Sequence, residues 1–349
     1  MSFSTAIQPS GHKFPIEEHE TILVAALRHG YALPYSCREG TCGVCKGKVL
    51  EGQVDHGNYL GSILTDAEKA AGMTLFCCAT PLSDLVIECR EVPAVKDIPV
   101  RTLPCRVQKM ERVAADVMVL QLKLPTNERL QFLAGQYIEI LAKDHRPRCF
   151  SLANAPHHDE FLELHVRNVP GGAFTRHVFD EMKERDILRF RGPYGTFFLR
   201  ENSDKPVIFV ASGTGFAPVK SIIEHALHIG VKRPMHFYWG GRVRADLYMP
   251  DKAAQWESTG IRFTPVLSEP LAEDHWQGRT GFVHQAVLDD YDDLSGHEIY
   301  AAGAPAMVEA ARRDFTAQRG LPGEAFFSDA FTLAPKNSNP AVPVYNFAP

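Results

Sequence analysis

The stretch Pro34-Tyr35-Ser36-Cys37-Arg38-Glu39-Gly40-Thr41-Cys42-Gly43-Val44-Cys45 reads C-x4-C-x2-C, and 31 residues separate Cys45 from a further cysteine, Cys77. Three thiols within nine residues converge only if the backbone wraps tightly. Gly40 and Gly43 permit the positive φ angles of such a wrap and let amide N–H groups face sulfur. A zinc site would usually divide its cysteines into two separated C-x2-C pairs, whereas here one loop carries three.

This spacing resembles the plant-type ferredoxin loop. The resemblance implies a 2Fe–2S cluster held by Cys37, Cys42, Cys45 and Cys77. Cys78 competes for the fourth position. The family form L-x-C-x3-P is met by Leu75, Cys77 and Pro81, which leaves Cys78 to pack as a small apolar residue.

At 349 residues the chain has room for two or three domains of about 150 residues. A hydrophobic content of 45% and a charged content of 23% are those of a globular protein. The net charge of −5 argues against nucleic acid as a partner. Eight cysteines without paired regularity do not form a disulfide scaffold; those outside the cluster set are expected to be reduced. No run of 18 apolar residues could span a membrane, and the first residues lack a basic segment followed by an apolar one. The expectation is a cytoplasmic protein.

Around the cysteine loop, residues 1–95 read as a small mixed module. Thr21 precedes the apolar run Ile22–Leu27, with Gly30 as the helix stop. Lys46 to Val54 suggests a hairpin broken at Glu51-Gly52, and Thr65 with Glu68 forms a capping box. Residues 74–77 and 85–88 read as strands. The module resembles the ferredoxin β-grasp fold, of the α+β class. Val92 to Pro99 looks like a linker.

Residues 96–200 alternate apolar and polar at 117–124, 137–140 and 161–166, which suggests a closed antiparallel barrel. Within them, Arg148-Cys149-Phe150-Ser151 resembles the R-x-Y-S element of ferredoxin–NADP reductase-like flavoproteins. That resemblance implies FAD, with Arg148 on a flavin phosphate, Phe150 against the flavin and Ser151 facing its N5 region. Phe150 replaces the usual Tyr, so the phenol hydrogen bond is lost while the ring packing remains. Gly172 and Thr175 match a G-x-x-S/T pyrophosphate element at a helix start, which favours FAD over FMN.

Residues 201–335 alternate strand and helix, arguing a doubly wound parallel sheet. Strands are expected at 207–211, 235–240, 261–267 and 299–303. Helices are expected at 218–229, with Pro218 at the first position, and at 305–318, ending at Gly320. The turn Ser212-Gly213-Thr214-Gly215-Phe216-Ala217-Pro218 resembles the nicotinamide-binding turn of the same reductases, which places Gly213, Thr214, Gly215 and Pro218 at the dinucleotide. Family members put adenosine-ribose contacts near Arg242 and Asp246. Asp246 and Tyr248 lean toward NADH, whereas Arg242 and Arg244 could accept a 2′-phosphate. Ala302-Gly303-Ala304-Pro305 resembles the C-G-x-P element, with Ala302 in place of its Cys. Phe331 is assigned to the ring that shields the flavin and moves when nicotinamide stacks. Residues 336–349 are expected to form a loose tail.

Taken over residues 1–335, the chain resembles three-domain iron–sulfur flavoprotein reductases, which include reductase components of oxygenases and of the CDP-6-deoxy-hexulose dehydrase system. The resemblance implies electron flow from NADH through FAD and a 2Fe–2S cluster to an electron-accepting protein, an oxygenase component or a sugar dehydrase. Two other readings fit the residues. One is a reductase of free flavin, ferric ion or another small acceptor; the other is a metal-binding, nucleotide-sensing module without redox turnover.

Overall fold

The computed structural model describes residues 2–142 and 146–332. The expected tail at 336–349 lies outside the described residues. Two compact units emerge, one running to Pro99 and one covering Val100–Phe331.

The first unit is a five-stranded mixed sheet with a helix on one face. β1 (Ser2–Gln8) and β2 (Lys13–Glu17) form an antiparallel hairpin that the sequence reading did not name. Pro15 lies in β2, an edge strand, where its missing N–H breaks no ladder bond. The remaining elements are α1 (Ile22–Arg28), β3 (Lys46–Glu51), β4 (Val54–Asp55), α2 (Asp66–Ala70), β5 (Met73–Leu75), β6 (Thr80–Pro81) and β7 (Leu85–Glu88). The strand order is β2-β1-β7-β3-β5, with β1 and β7 parallel. Thr21 caps α1 by accepting from the Val24 amide at 3.3 Å, and Gly30 follows the helix at φ +78°. Ile22, Leu23, Ala25 and Ala26 bury the apolar face of α1. These are the features of the expected β-grasp. The expected hairpin at 46–54 does not form: β3 pairs with β7 and β5, while β4 pairs with β6. Gly52, at φ +96°, turns the chain out of the sheet; a Cβ there would lie 2.2 Å from the Asp84 carbonyl oxygen.

The second unit begins with six antiparallel strands: β8 (Arg101–Ala114), β9 (Val117–Lys123), β10 (Tyr137–Leu141), β11 (Pro147–Ser151), β12 (Leu162–Arg167) and β13 (Ile187–Tyr194). Their order is β11-β10-β13-β8-β9-β12, and a bridge between Leu152 and Leu164 joins the two edges into a barrel. The long β8 had no sharp pattern in the sequence. β9 is buried on both faces: Leu120 and Leu122 point into the barrel, while Val117 joins the core of the neighbouring α/β layer. α3 (Ala173–Asp180) follows β12.

The α/β layer contains β14 (Val207–Ser212), α4 (Phe216–His228), β15 (Met235–Gly241), α5 (Pro250–Gln255), β16 (Arg262–Leu267), β17 (Arg279–Thr280), α6 (Val283–Asp290), β18 (Glu298–Gly303), α7 (Pro305–Arg319) and β19 (Phe326–Ala330). All six strands are parallel, in the order β17-β16-β15-β14-β18-β19. Direction from the central pair reverses between β14 and β18, which opens a crevice at their carboxyl ends. α4 starts two residues earlier than expected, after a tight turn at Gly213–Gly215, so Pro218 is its third residue. That position also lacks an intrahelical partner for its amide, so the proline remains harmless. Among the described residues no helix is long and apolar enough to cross a membrane.

Candidate functional site

The cysteine loop leaves α1 and returns through β3. Arg38, Gly40 and Gly43 all take positive φ, at +61°, +68° and +75°. The wrap aims amides at sulfur: Glu39 N–H donates to Cys37 Sγ at 3.4 Å, Gly40 N–H to Cys77 and Val44 N–H to Cys42. Cys77 arrives from beyond β5, where Phe76 N–H donates to the Cys45 carbonyl at 3.0 Å. The four thiols interact with one another, Cys37 most strongly with Cys42 and Cys45 most strongly with Cys77. A hydrogen bond from the partner thiol is the main cause that brings Cys37 down to about 6 and Cys77 down to about 4. The same bonds, with burial, push Cys42 and Cys45 up. Among the described residues no three His, Cys, Asp or Glu side chains surround a single metal position. Four converging thiols are a donor set that fits a 2Fe–2S cluster.

On β11, Arg148 and Phe150 lie on one face and are half-buried. Arg148 donates to the Arg146 carbonyl at 2.8 Å, and the Phe150 ring packs 5.5 Å from Phe174 of α3. Ser151, on the other face, donates to Asp329 Oδ2 at 3.1 Å in a buried contact. Gly172 caps α3, and a Cβ on it would lie 2.6 Å from Thr175 Oγ1. The Thr175 hydroxyl accepts from the Val169 amide at 3.2 Å and faces the carbonyls of Gly172 and Val169. It therefore holds the loop closed and leaves the first-turn amides of α3 as the donors for an anion.

The Gly213–Gly215 turn sits at the crevice. A Cβ on Gly215 would lie 2.1 Å from the Ala302 carbonyl oxygen, so only glycine lets the turn close on β18. Trp239 Nε1 donates to the Gly213 carbonyl at 3.0 Å, and Ser212 Oγ accepts from the Ala304 amide at 2.9 Å. Thr214 is half-buried in the same turn, and Pro218 is buried in α4. Phe331 N–H donates to the Gly303 carbonyl at 2.8 Å, which brings Phe331 and Asp329 to the end of β18.

Two of the expected ribose contacts have other tasks. The Asp246 carboxylate accepts from the amides of Arg242 at 2.8 Å and Val243 at 3.4 Å and lies 3.7 Å from Arg167. It closes the turn after β15 instead of facing outward. Tyr248 is buried, its hydroxyl 2.8 Å from His165 Nδ1. Arg244 is tied to Asp274, whereas the Arg242 side chain is 72% exposed.

Three family models match in series: a 2Fe-2S iron-sulfur cluster binding domain over residues 5–82, an oxidoreductase FAD-binding domain over 104–199 and an oxidoreductase NAD-binding domain over 209–313. A CDP-6-deoxy-L-threo-D-glycero-4-hexulose-3-dehydrase reductase from Yersinia pseudotuberculosis is 42% identical, over 95% of this chain and 99% of that protein. The chain belongs to the iron–sulfur flavoprotein reductases. The phenol 2-monooxygenase reductase component of Pseudomonas sp. (strain CF600) is 36% identical to this reductase, over 96% of each chain. The crystal structure of an Amycolatopsis cytochrome P450 reductase superposes on it with a TM-score of 0.75 at 35% identity, covering 95% of this chain and 99% of that one.

This reductase is thus an oxidoreductase with 2Fe–2S, FAD-binding and NAD-binding domains, and its residues fit those groups. The converging sulfurs fit the cluster, and the bare α3 amides fit a phosphate. At the dinucleotide turn the fit rests on Arg167, a residue that the sequence reading passed over. Its guanidinium lies 2.6 Å from the Cβ position of Gly213, and its Nε and Nη2 atoms are buried without hydrogen-bond partners. Asp116, 3.1 Å from Nε, holds the group as an ion pair. Asp329 was also passed over as a functional residue. Neither has a sequence signal, because each matters only through what another strand brings beside it.

Proposed function

We propose that this reductase accepts a hydride from NADH and delivers single electrons to a separate protein, an oxygenase component or a sugar dehydrase like those served by its relatives. Bound FAD supplies the conversion from a two-electron donor to a one-electron carrier. Cys37, Cys42, Cys45 and Cys77 would hold the 2Fe–2S cluster. The amides of Glu39, Gly40 and Val44 stabilise the charge on those sulfurs.

Arg148 and the α3 amides bind the flavin phosphates, and Phe150 supports the ring system. Ser151, with its proton directed to Asp329, faces the reacting edge of the flavin. Phe331 is the ring that would cover a bound flavin and have to move for nicotinamide to stack. The Gly213–Gly215 turn and Arg167 take the pyrophosphate of the dinucleotide. NADH is favoured over NADPH because Asp246 lies 3.7 Å from Arg242 Nε and offsets the charge a 2′-phosphate would need. Cys78, Cys89, Cys105 and Cys149, outside the cluster set and without disulfides, support a reducing compartment, the cytoplasm.

The observation that carries this reading is the convergence of the Cys37, Cys42, Cys45 and Cys77 thiols, in a chain that also holds the nucleotide turn. The test is anaerobic addition of NADH to protein loaded with iron and flavin. Both chromophores should bleach, and Cys42→Ser should keep flavin reduction while losing transfer to the partner. Unchanged partner turnover in Cys42→Ser would instead favour a small-acceptor reductase. Protein that binds zinc and no flavin would leave a nucleotide-sensing module.

A further inference from the structure

We infer that Cys78 is a positioning residue for the cluster: its thiol donates a hydrogen bond to Cys77 Sγ and raises the reduction potential of the iron pair. The two sulfurs are 3.5 Å apart. A thiolate that ligates iron carries no proton, so in the loaded protein Cys78 alone can be the donor. The bond stabilises negative charge on a ligand sulfur, and that charge is greatest in the reduced cluster.

The surroundings are shaped to bring this thiol in. Cys78 N–H donates to the Leu75 carbonyl at 2.9 Å, which fixes the backbone just after β5. Gly40, in the cysteine loop at φ +68°, would place a Cβ 2.7 Å from Cys78 Sγ. Gly57, from a different loop at φ +64°, would place one 2.5 Å from the Cys78 carbonyl oxygen. Two separate glycines therefore clear space around one residue. Gly40 also directs its own N–H to Cys77, so that sulfur receives an amide and a thiol together.

The inference rests on the cluster assignment; failure of that assignment would show as wild-type protein without iron, whereas failure of this one shows in protein holding two irons per chain. Potentiometric titration followed by electron paramagnetic resonance is the test. In Cys78→Ala the equilibrium constant for cluster reduction should fall about three- to tenfold, the size of one modest hydrogen bond. Cys78→Ser keeps a donor and should stay near the wild-type potential. An unchanged potential in Cys78→Ala, or a Cys78→Ser value matching Cys78→Ala, overturns the inference. If Cys78→Ala does not assemble, the wild-type infrared spectrum decides. One S–H stretching band should shift when the cluster is reduced, because its acceptor gains charge. No shifting S–H band overturns the inference.

Discussion

Ser151 Oγ donates to Asp329 Oδ2 across 3.1 Å, joining β11 of the barrel to the last strand of the nucleotide sheet, 178 residues later in the chain. Both side chains are buried, so the bond fixes which way the hydroxyl proton points. Ser151→Ala should slow flavin reduction by NADH about tenfold or more while FAD stays bound. Asp329→Asn, which leaves an acceptor, should cost less. Anaerobic stopped-flow absorbance measures both, and a wild-type rate in Ser151→Ala would remove Ser151 from the reaction.

Gly215→Ala should damage nucleotide binding. Its Cβ would meet the Ala302 carbonyl at 2.1 Å, and β18 cannot yield because it is a central strand. The expected cost is about 1–3 kcal/mol of stability together with a KM for NADH raised at least about tenfold. Gly230→Ala is the control: it carries φ +73° with open space around it, so it should lose about 1 kcal/mol and leave KM alone.

Arg167→Ala should raise the KM for NADH about ten- to a hundredfold, the range of a lost charge-assisted bond to a phosphate. Arg167→Lys should recover part of it, as a point charge without the fork. Steady-state kinetics at two salt concentrations would check this. A KM within twofold of wild type in Arg167→Ala would assign the guanidinium to the ion pair with Asp116 alone.

Burial holds the His236 imidazole down to about 4, where it bonds Thr264 Oγ1 at 2.8 Å and Tyr291 OH at 3.0 Å. The ordinary value of 6.5 applies to the unfolded chain, so that chain takes up the proton first as pH falls. Stability is therefore complete above pH 6.5 and declines toward pH 4, by about 3 kcal/mol at most from this group. Thermal unfolding at pH 7 and pH 5 should show the drop, and His236→Asn should have lower stability at pH 7 with a shallower slope. Equal slopes in both proteins would move the acid sensitivity to other groups.

The strands at 207–211, 235–240 and 299–303 were legible because buried parallel strands read as short apolar runs. The α7 stop at Gly320 was legible because a left-handed residue there favours glycine. The hairpin at 46–54 misled, since local turn residues say nothing of which distant strand will pair. The β1–β2 hairpin and long β8 were missed because short or irregular alternation resembles loop. The family resemblance implies that Asp246 and Tyr248 lie at the dinucleotide. Only the folded chain reveals that amides and His165 already occupy them.

Taken alone, the sequence determined the chemistry this protein can host: a cysteine spacing, an Arg-x-aromatic-Ser strand and a glycine turn are local, and local geometry follows from adjacent residues. The tertiary structure decided how those parts act. It brought the four sulfurs together, set Asp329 on Ser151 and placed Arg167 at Gly213. Each of these depends on strand register and on where a long connection returns, and burial, more than sequence adjacency, selects that.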